Sequence, residues 1–376
     1  MTTDLPPVPV PAQASPGLLL DSTEDVLGAV PYLLGFHPAD SLVVIGMRGR
    51  WPRGRLHLTV RWDLPTAAAE LGQALPLLVR EEITQVVVVG YGPGPLVTPE
   101  VDAAVALFGR SGIRLVDALR VEGGRYWSYL CADTACCPVD GTPYERRAGV
   151  VAAHATVHGL VALPDRETLE RSLDPVGGAA RSAMRRATAR AAQEVRAGLA
   201  ACDDAGAFAA GFVADGVRRV RSAVGVYAAG GRLDDDEAAR LGLDLTVIRI
   251  RDEAWTLVAD DTHEAHFRLW HDLTRRLEPR FVPPAASLLG LVAWHGGDSA
   301  LAGVALARAH AADPGYSMAN LIAHALRHLL PPRVLAERMP RPEDLDREMG
   351  APRMTWLLPL VALLGEPRAK ESRDPP

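Results

Sequence analysis

Residues Pro31 to Gly49 read PYLLGFHPADSLVVIGMRG, and they carry the chain from a helix end through a short turn into an apolar strand. Upstream, Ser22-Thr23-Glu24-Asp25 offers an N-cap followed by first-turn acids, which start a helix by side-chain capping and by complementing its dipole. Val26, Ala29, Val30 and Leu33 then recur at helical spacing. Gly35 stands where a left-handed C-cap is wanted, and Pro38 cannot continue a helix. Leu42 to Met47 is a continuous apolar run rich in β-branched residues, the pattern of a strand buried on both faces. Gly46 and Gly49 close it.

Outward from that block, strands and helices alternate. Arg55 to Asp63 (RLHLTVRWD) alternates strictly, with Leu56, Leu58, Val60 and Trp62 on one face and Arg55, His57, Thr59, Arg61 and Asp63 on the other. Thr66 to Arg80 fits a helix, Thr84 to Val89 a buried strand, Pro99 to Arg110 a helix and Ile113 to Val121 a strand. The alternation predicts an α/β region with a mixed or mostly parallel sheet over residues 17–148. From residue 149 to 365 alanine-rich helical patterns take over, including Val150 to Leu163, Asp234 to Val258 and Thr262 to Leu277. Residues 1–16 are proline-rich and 366–376 polar, so both ends are expected to be disordered.

Composition narrows the function classes. The net charge of -6 argues against a general nucleic-acid or anionic-membrane binder, so no partner of either kind is expected. No apolar run reaches the roughly 18 residues of a membrane span, and the first residues lack a signal-peptide pattern. A cytoplasmic location is the expectation. Of the 40 Lys and Arg residues only Lys370 is a lysine, and it lies in the tail. That excludes a Walker-type phosphate loop and a pyridoxal Schiff base, and no cofactor is expected.

Several constellations could carry chemistry. His37, Asp40 and Ser41 lie on the turn before the first strand, but the G-x-S-x-G of a nucleophile elbow is absent. A plain structural role, with Asp40 or Ser41 bonding nearby backbone, weighs against a site. Gly90-Tyr91-Gly92-Pro93-Gly94-Pro95 follows a strand, where open α/β sheets bind ligands. Its prolines remove donors that a phosphate cradle would use. Arg61 and Asp63 join Gly90 and Gly92 there if Arg55 to Asp63 is an inner strand; otherwise they form a surface ion pair. Cys131, Cys136 and Cys137 form C-x4-C-C, with Asp133 or His154 needed to complete a zinc set. Structural thiols and sub-stoichiometric zinc are the expectation, with metal binding and redox chemistry as the alternatives.

The remaining clusters have simpler readings. His263, His266 and His271 share one predicted helix, but H-E-A-H is one residue short of H-E-x-x-H. Arg181, Arg185, Arg186, Arg190 and Arg196 read as a solvated helix face. Ala302, Ala309 and Asp313-Pro314 stand at the spacing of one tetratricopeptide-like hairpin near residues 285–329.

Pro31 to Phe36 and Pro38 to Val44 together resemble the signature of the actinobacterial domain-of-unknown-function 4192 family. Trp127 to Pro138 (WSYLCADTACCP), Arg251 to Trp255 and Trp294 to Tyr316 agree with it. The resemblance implies a fold and a lineage, not an activity. The expectation is a binding or scaffolding module for a protein or small-molecule partner. The alternative is an enzyme, a hydrolase or a nucleotide-related one, sited at the strand ends.

Overall fold

The computed structural model describes residues 22–50, 54–65, 68–145, 161–328, 330 and 341–365. The predicted disordered ends (residues 1–16 and 366–376), most of the predicted helix Val150 to Leu163, and His154 lie outside the described residues. The chain forms two compact units, residues 1–169 and 170–376. The division falls later than the change of composition at residue 149. Leu163 accounts for part of that: it bridges Phe36, accepting from the His37 N–H and donating to the Gly35 carbonyl.

The first unit is an α/β layer. Helix α1 (Thr23–Leu34) begins at a capping box in which Ser22 and Asp25 satisfy each other's backbone N–H, and ends at Gly35 with φ 76°. Strands β1 (Ser41–Arg48) and β2 (Arg55–Asp63), helix α2 (Ala68–Arg80), strand β3 (Gln85–Tyr91), helix α3 (Gly94–Ser111) and strand β4 (Arg114–Glu122) follow. Short strands β5 (Arg125–Ser128) and β6 (Thr142–Pro143) complete a six-stranded sheet in the order β2-β1-β3-β4-β5-β6. Only β3 and β4 run parallel, so the sheet is mixed.

Strand β1 lies between β2 and β3, and its apolar run is buried throughout. The side chains of Leu42, Val44, Val86 and Val88 meet Leu71 and Leu78 of α2 and Val97, Val101 and Phe108 of α3 in one core. Leu58 and Trp62, from the apolar face of β2, pack against the same core. Helix α3 begins at Gly94, five residues before the predicted start. Pro93 is its N-cap and Pro95 sits in its first turn, where a missing N–H costs no helical bond.

The second unit is helical. Helix α4 (Arg166–Arg171) spans the division between the units, and α5 (Gly178–Ala200), α6 (Ala205–Ala228), α7 (Asp235–Asp244), α8 (Ile248–Thr256) and α9 (His263–Arg276) follow. Helices α10 (Val282–His295), α11 (Ser299–Ala312), α12 (Ser317–Arg327), α13 (Pro342–Met349) and α14 (Leu358–Gly365) complete the described set. The single helix expected over Asp234 to Val258 is two, α7 and α8. Asp244, fully buried at the end of α7, is held by Arg219 and Arg240. Helix α10 is buried from Val282 to Trp294, the signature of a central helix. Ala302, Ala305 and Ala309 of α11 are fully buried, and a Cβ at Gly290 would lie 3.0 Å from Leu306 Cγ and 3.4 Å from the Ala302 carbonyl.

Candidate functional site

Because β1 is antiparallel to both neighbours, its first residue faces the last residues of β2 and β3. Ser41 is opposite Asp63 in β2 and opposite Tyr91 in β3. The topology therefore gathers Asp40, Ser41, Arg61, Asp63 and Gly92 at one end of the sheet.

Ser41 is fully buried; its hydroxyl donates to the Ala39 carbonyl (2.6 Å) and accepts from Arg61 Nε (2.9 Å). Arg61 also pairs with Asp63, and its guanidinium lies 5.4 Å from the centre of the Phe36 ring. Arg166 adds a second cation, 2.9 Å from Asp63 Oδ2. Burial alone would raise the Asp63 pKa, but the hydrogen bond and charge of Arg61, joined by Arg166, hold it below the ordinary value. This group is saturated by its own members. It fixes the turn, with the Asp63 carboxylate already paired to Arg61 and Arg166.

Asp40 behaves differently. Its backbone is left-handed at φ 42°, a conformation that aspartate tolerates better than most residues. Its carbonyl accepts from the Leu64 N–H. Its carboxylate takes no hydrogen bond among the described residues, and the residue is exposed. Across from it, Gly92 has φ 136°, and a Cβ there would lie 3.0 Å from Asp40 Oδ1. Of the two residues expected to lock the turn, Ser41 makes the side-chain bond and Asp40 does not.

His37 and Pro38 line a crevice with Leu27, Pro31, Tyr91 and Tyr144. Its cavity volume is about 10 Å³, room for about one water. Gly90 faces the other way: a Cβ there would collide with Val97 of α3, so this glycine serves helix–sheet packing. Arg166 and Tyr144 escaped the sequence reading, since nothing local marks a residue that reaches the site from far along the chain, whereas Tyr91 lies in the stretch Gly90 to Pro95 that the sequence marks.

The cysteines form a second cluster, in the loop between β5 and β6. The sulfurs of Cys131, Cys136 and Cys137 lie within 4.8 Å of one another, and all are free thiols. Hydrogen bonding from Cys137, helped by the Asp133 backbone, draws the Cys131 thiol below its ordinary pKa. Cys137 is pushed up to about 12, chiefly by its hydrogen bond to Cys131.

The three histidines of α9 do not converge on a metal. His263 Nε2 sits 2.9 Å from the Val292 carbonyl, His266 Nδ1 accepts from Trp270 Nε1 at 3.1 Å, and His271 stacks on Phe267. Arg251 pairs with Asp252 at 2.7 Å and lies close to the Tyr316 ring.

The family model described as a domain of unknown function, DUF4192, matches residues 24–333. The chain belongs to the DUF4192 family. No curated protein and no solved structure matches it. The match spans both the sheet-end group and the cysteine loop, so both stand within the DUF4192 region. No described helix of this DUF4192 chain is long and apolar enough to cross a membrane.

Proposed function

We propose that the chain is a binding module whose α/β unit docks a basic segment of a protein partner at the sheet end. The observation that carries this reading is Asp40: an exposed carboxylate, held on a left-handed residue, with a glycine opposite that leaves room for it. Non-glycine residues in that conformation cost free energy unless the surroundings hold them there, and they cluster at binding and catalytic sites. The carboxylate offers charge to an ammonium or guanidinium group. Tyr91 and Tyr144 in the neighbouring crevice suit the apolar stem and the cation itself.

The size of the crevice supports surface docking over an enclosed substrate. Small-molecule sites run to roughly 300–1,000 Å³, against about 10 Å³ here. In this reading the α10–α11 hairpin, with Ala302, Ala305 and Ala309 against its neighbours, is a tetratricopeptide-like scaffold element. The cluster of free thiols fits a reducing, cytoplasmic setting.

A photo-crosslinking residue in place of exposed Ala39 tests the reading in cells that carry the native protein. The expected result is a discrete protein adduct, absent when the same residue replaces exposed Val79 on α2. Equal adducts from both positions, or none at Ala39, would remove the sheet end as the docking surface.

A further inference from the structure

We propose that Cys131, Cys136 and Cys137 form a zinc site to which they supply three thiolate ligands. The three sulfurs lie within 4.8 Å of one another. Tetrahedral zinc with Zn–S bonds of about 2.3 Å sets its sulfurs about 3.8 Å apart, so the triangle needs little closing.

The usual reason for a cysteine in a folded chain is burial as a small hydrophobe. That reason fails here. Cys136 is exposed and Cys131 and Cys137 are only half-buried, so the sulfurs are gathered without an apolar core to gather them. Disulfide pairing fits no better. Neighbouring Cys136 and Cys137 would close a strained ring, and any pairing within the cluster leaves one thiol over.

The loop is instead built to hold all three in place. The Asp133 carbonyl accepts from both Cys136 N–H (3.2 Å) and Cys137 N–H (2.7 Å), and the Asp133 carboxylate accepts from Ala135 N–H (2.9 Å). The far side of the loop is clamped by Trp127, whose Nε1 donates to the Val139 carbonyl at 2.9 Å. Gly141, at φ 76°, lies so close under the Trp127 ring that a Cβ would stand 2.7 Å from Cζ2. Arg125 donates to the carbonyls of Asp140 and Gly141, and the Arg120 guanidinium lies 3.8 Å from the Trp127 ring centre. The loop's fixed shape is consistent with a preformed ligand triangle.

Three thiolates are soft ligands that select zinc over magnesium or calcium. Among the described residues the ligand set stops at three.

The test uses the full chain purified under reducing conditions, with the thiols counted to show that they are reduced. Elemental analysis should find one zinc per chain. Cobalt replacing the zinc should give the near-ultraviolet thiolate-to-metal charge-transfer band. Cys131→Ser, Cys136→Ser and Cys137→Ser should each weaken zinc binding by more than about tenfold, while Cys202→Ser, in the helical unit, should not. Fully reduced chain with background zinc and no cobalt band overturns the proposal, as does stoichiometric copper or iron in zinc's place. If a Cys→Ser variant fails to fold, the parent's cobalt spectrum decides alone.

Discussion

Asp40 and Gly92 are matched across the sheet end: a Cβ at Gly92 would stand 3.0 Å from Asp40 Oδ1, and both residues have positive φ. The glycine opposite makes space for a carboxylate that does no capping. The pair therefore separates what folding needs from what the surface offers.

Gly92→Ala should destabilise the chain. The substitution strains the backbone at φ 136° and presses on Asp40, at a cost of about 1–2 kcal/mol. Asp40→Gly relieves a left-handed residue and should melt within about 1 kcal/mol of the parent. Thermal melts of the two variants check both; a large loss at Asp40→Gly would show that its carboxylate holds the turn after all.

Ser41→Ala removes the acceptor of Arg61 Nε and the bond to the Ala39 carbonyl in a fully buried position. A donor left without its acceptor costs roughly 1–3 kcal/mol. Urea unfolding of this variant should show that loss, and a parent-like midpoint would place the turn's stability elsewhere.

Acid should weaken the helical unit before most carboxylates titrate. Burial pushes His266 and His271 down from 6.5 to about 4, so both are neutral in the folded chain at pH 6. Between about pH 6.5 and 4 the unfolded chain binds protons that the folded one refuses, and stability falls as pH falls through that window. His271→Phe, which keeps an aromatic ring against Phe267, should flatten the slope. Identical slopes for parent and variant would contradict the assignment.

Ala302→Leu and Gly290→Leu should each overpack the α10–α11 contact, where Ala302 is fully buried and Leu306 stands against Gly290. The expected loss is roughly 1–3 kcal/mol, read from thermal melts. A surface position would tolerate leucine, a good helix former.

Much of the fold was legible because it is local. The cap at Ser22, the left-handed Gly35 and the apolar run of β1 all announce themselves within a few residues. The alternation in β2 correctly assigned Leu58 and Trp62 to the core face. What stayed hidden depends on distant partners. Gly90 resembles a ligand-loop glycine until Val97 is seen against it, and Arg166 joins Asp63 from 103 residues away. The break between α7 and α8 was invisible for the same reason. Its periodicity continues, while buried Asp244 is held by Arg219 and Arg240. The cysteine spacing marked Cys131, Cys136 and Cys137 as a candidate set short of a fourth ligand; what it could not show is that the three sulfurs lie within 4.8 Å of one another.

The proposed docking surface at Asp40 is tested most directly by the crosslinking yield of the Ala39 probe with and without Asp40→Asn. Asparagine keeps the shape of the side chain and tolerates the left-handed backbone, so only the charge is removed. The prediction is a parent-like melt with the protein adduct reduced by about tenfold or more, the equivalent of about 1.4 kcal/mol. An unchanged adduct yield from the folded variant would contradict a role for the Asp40 carboxylate in binding.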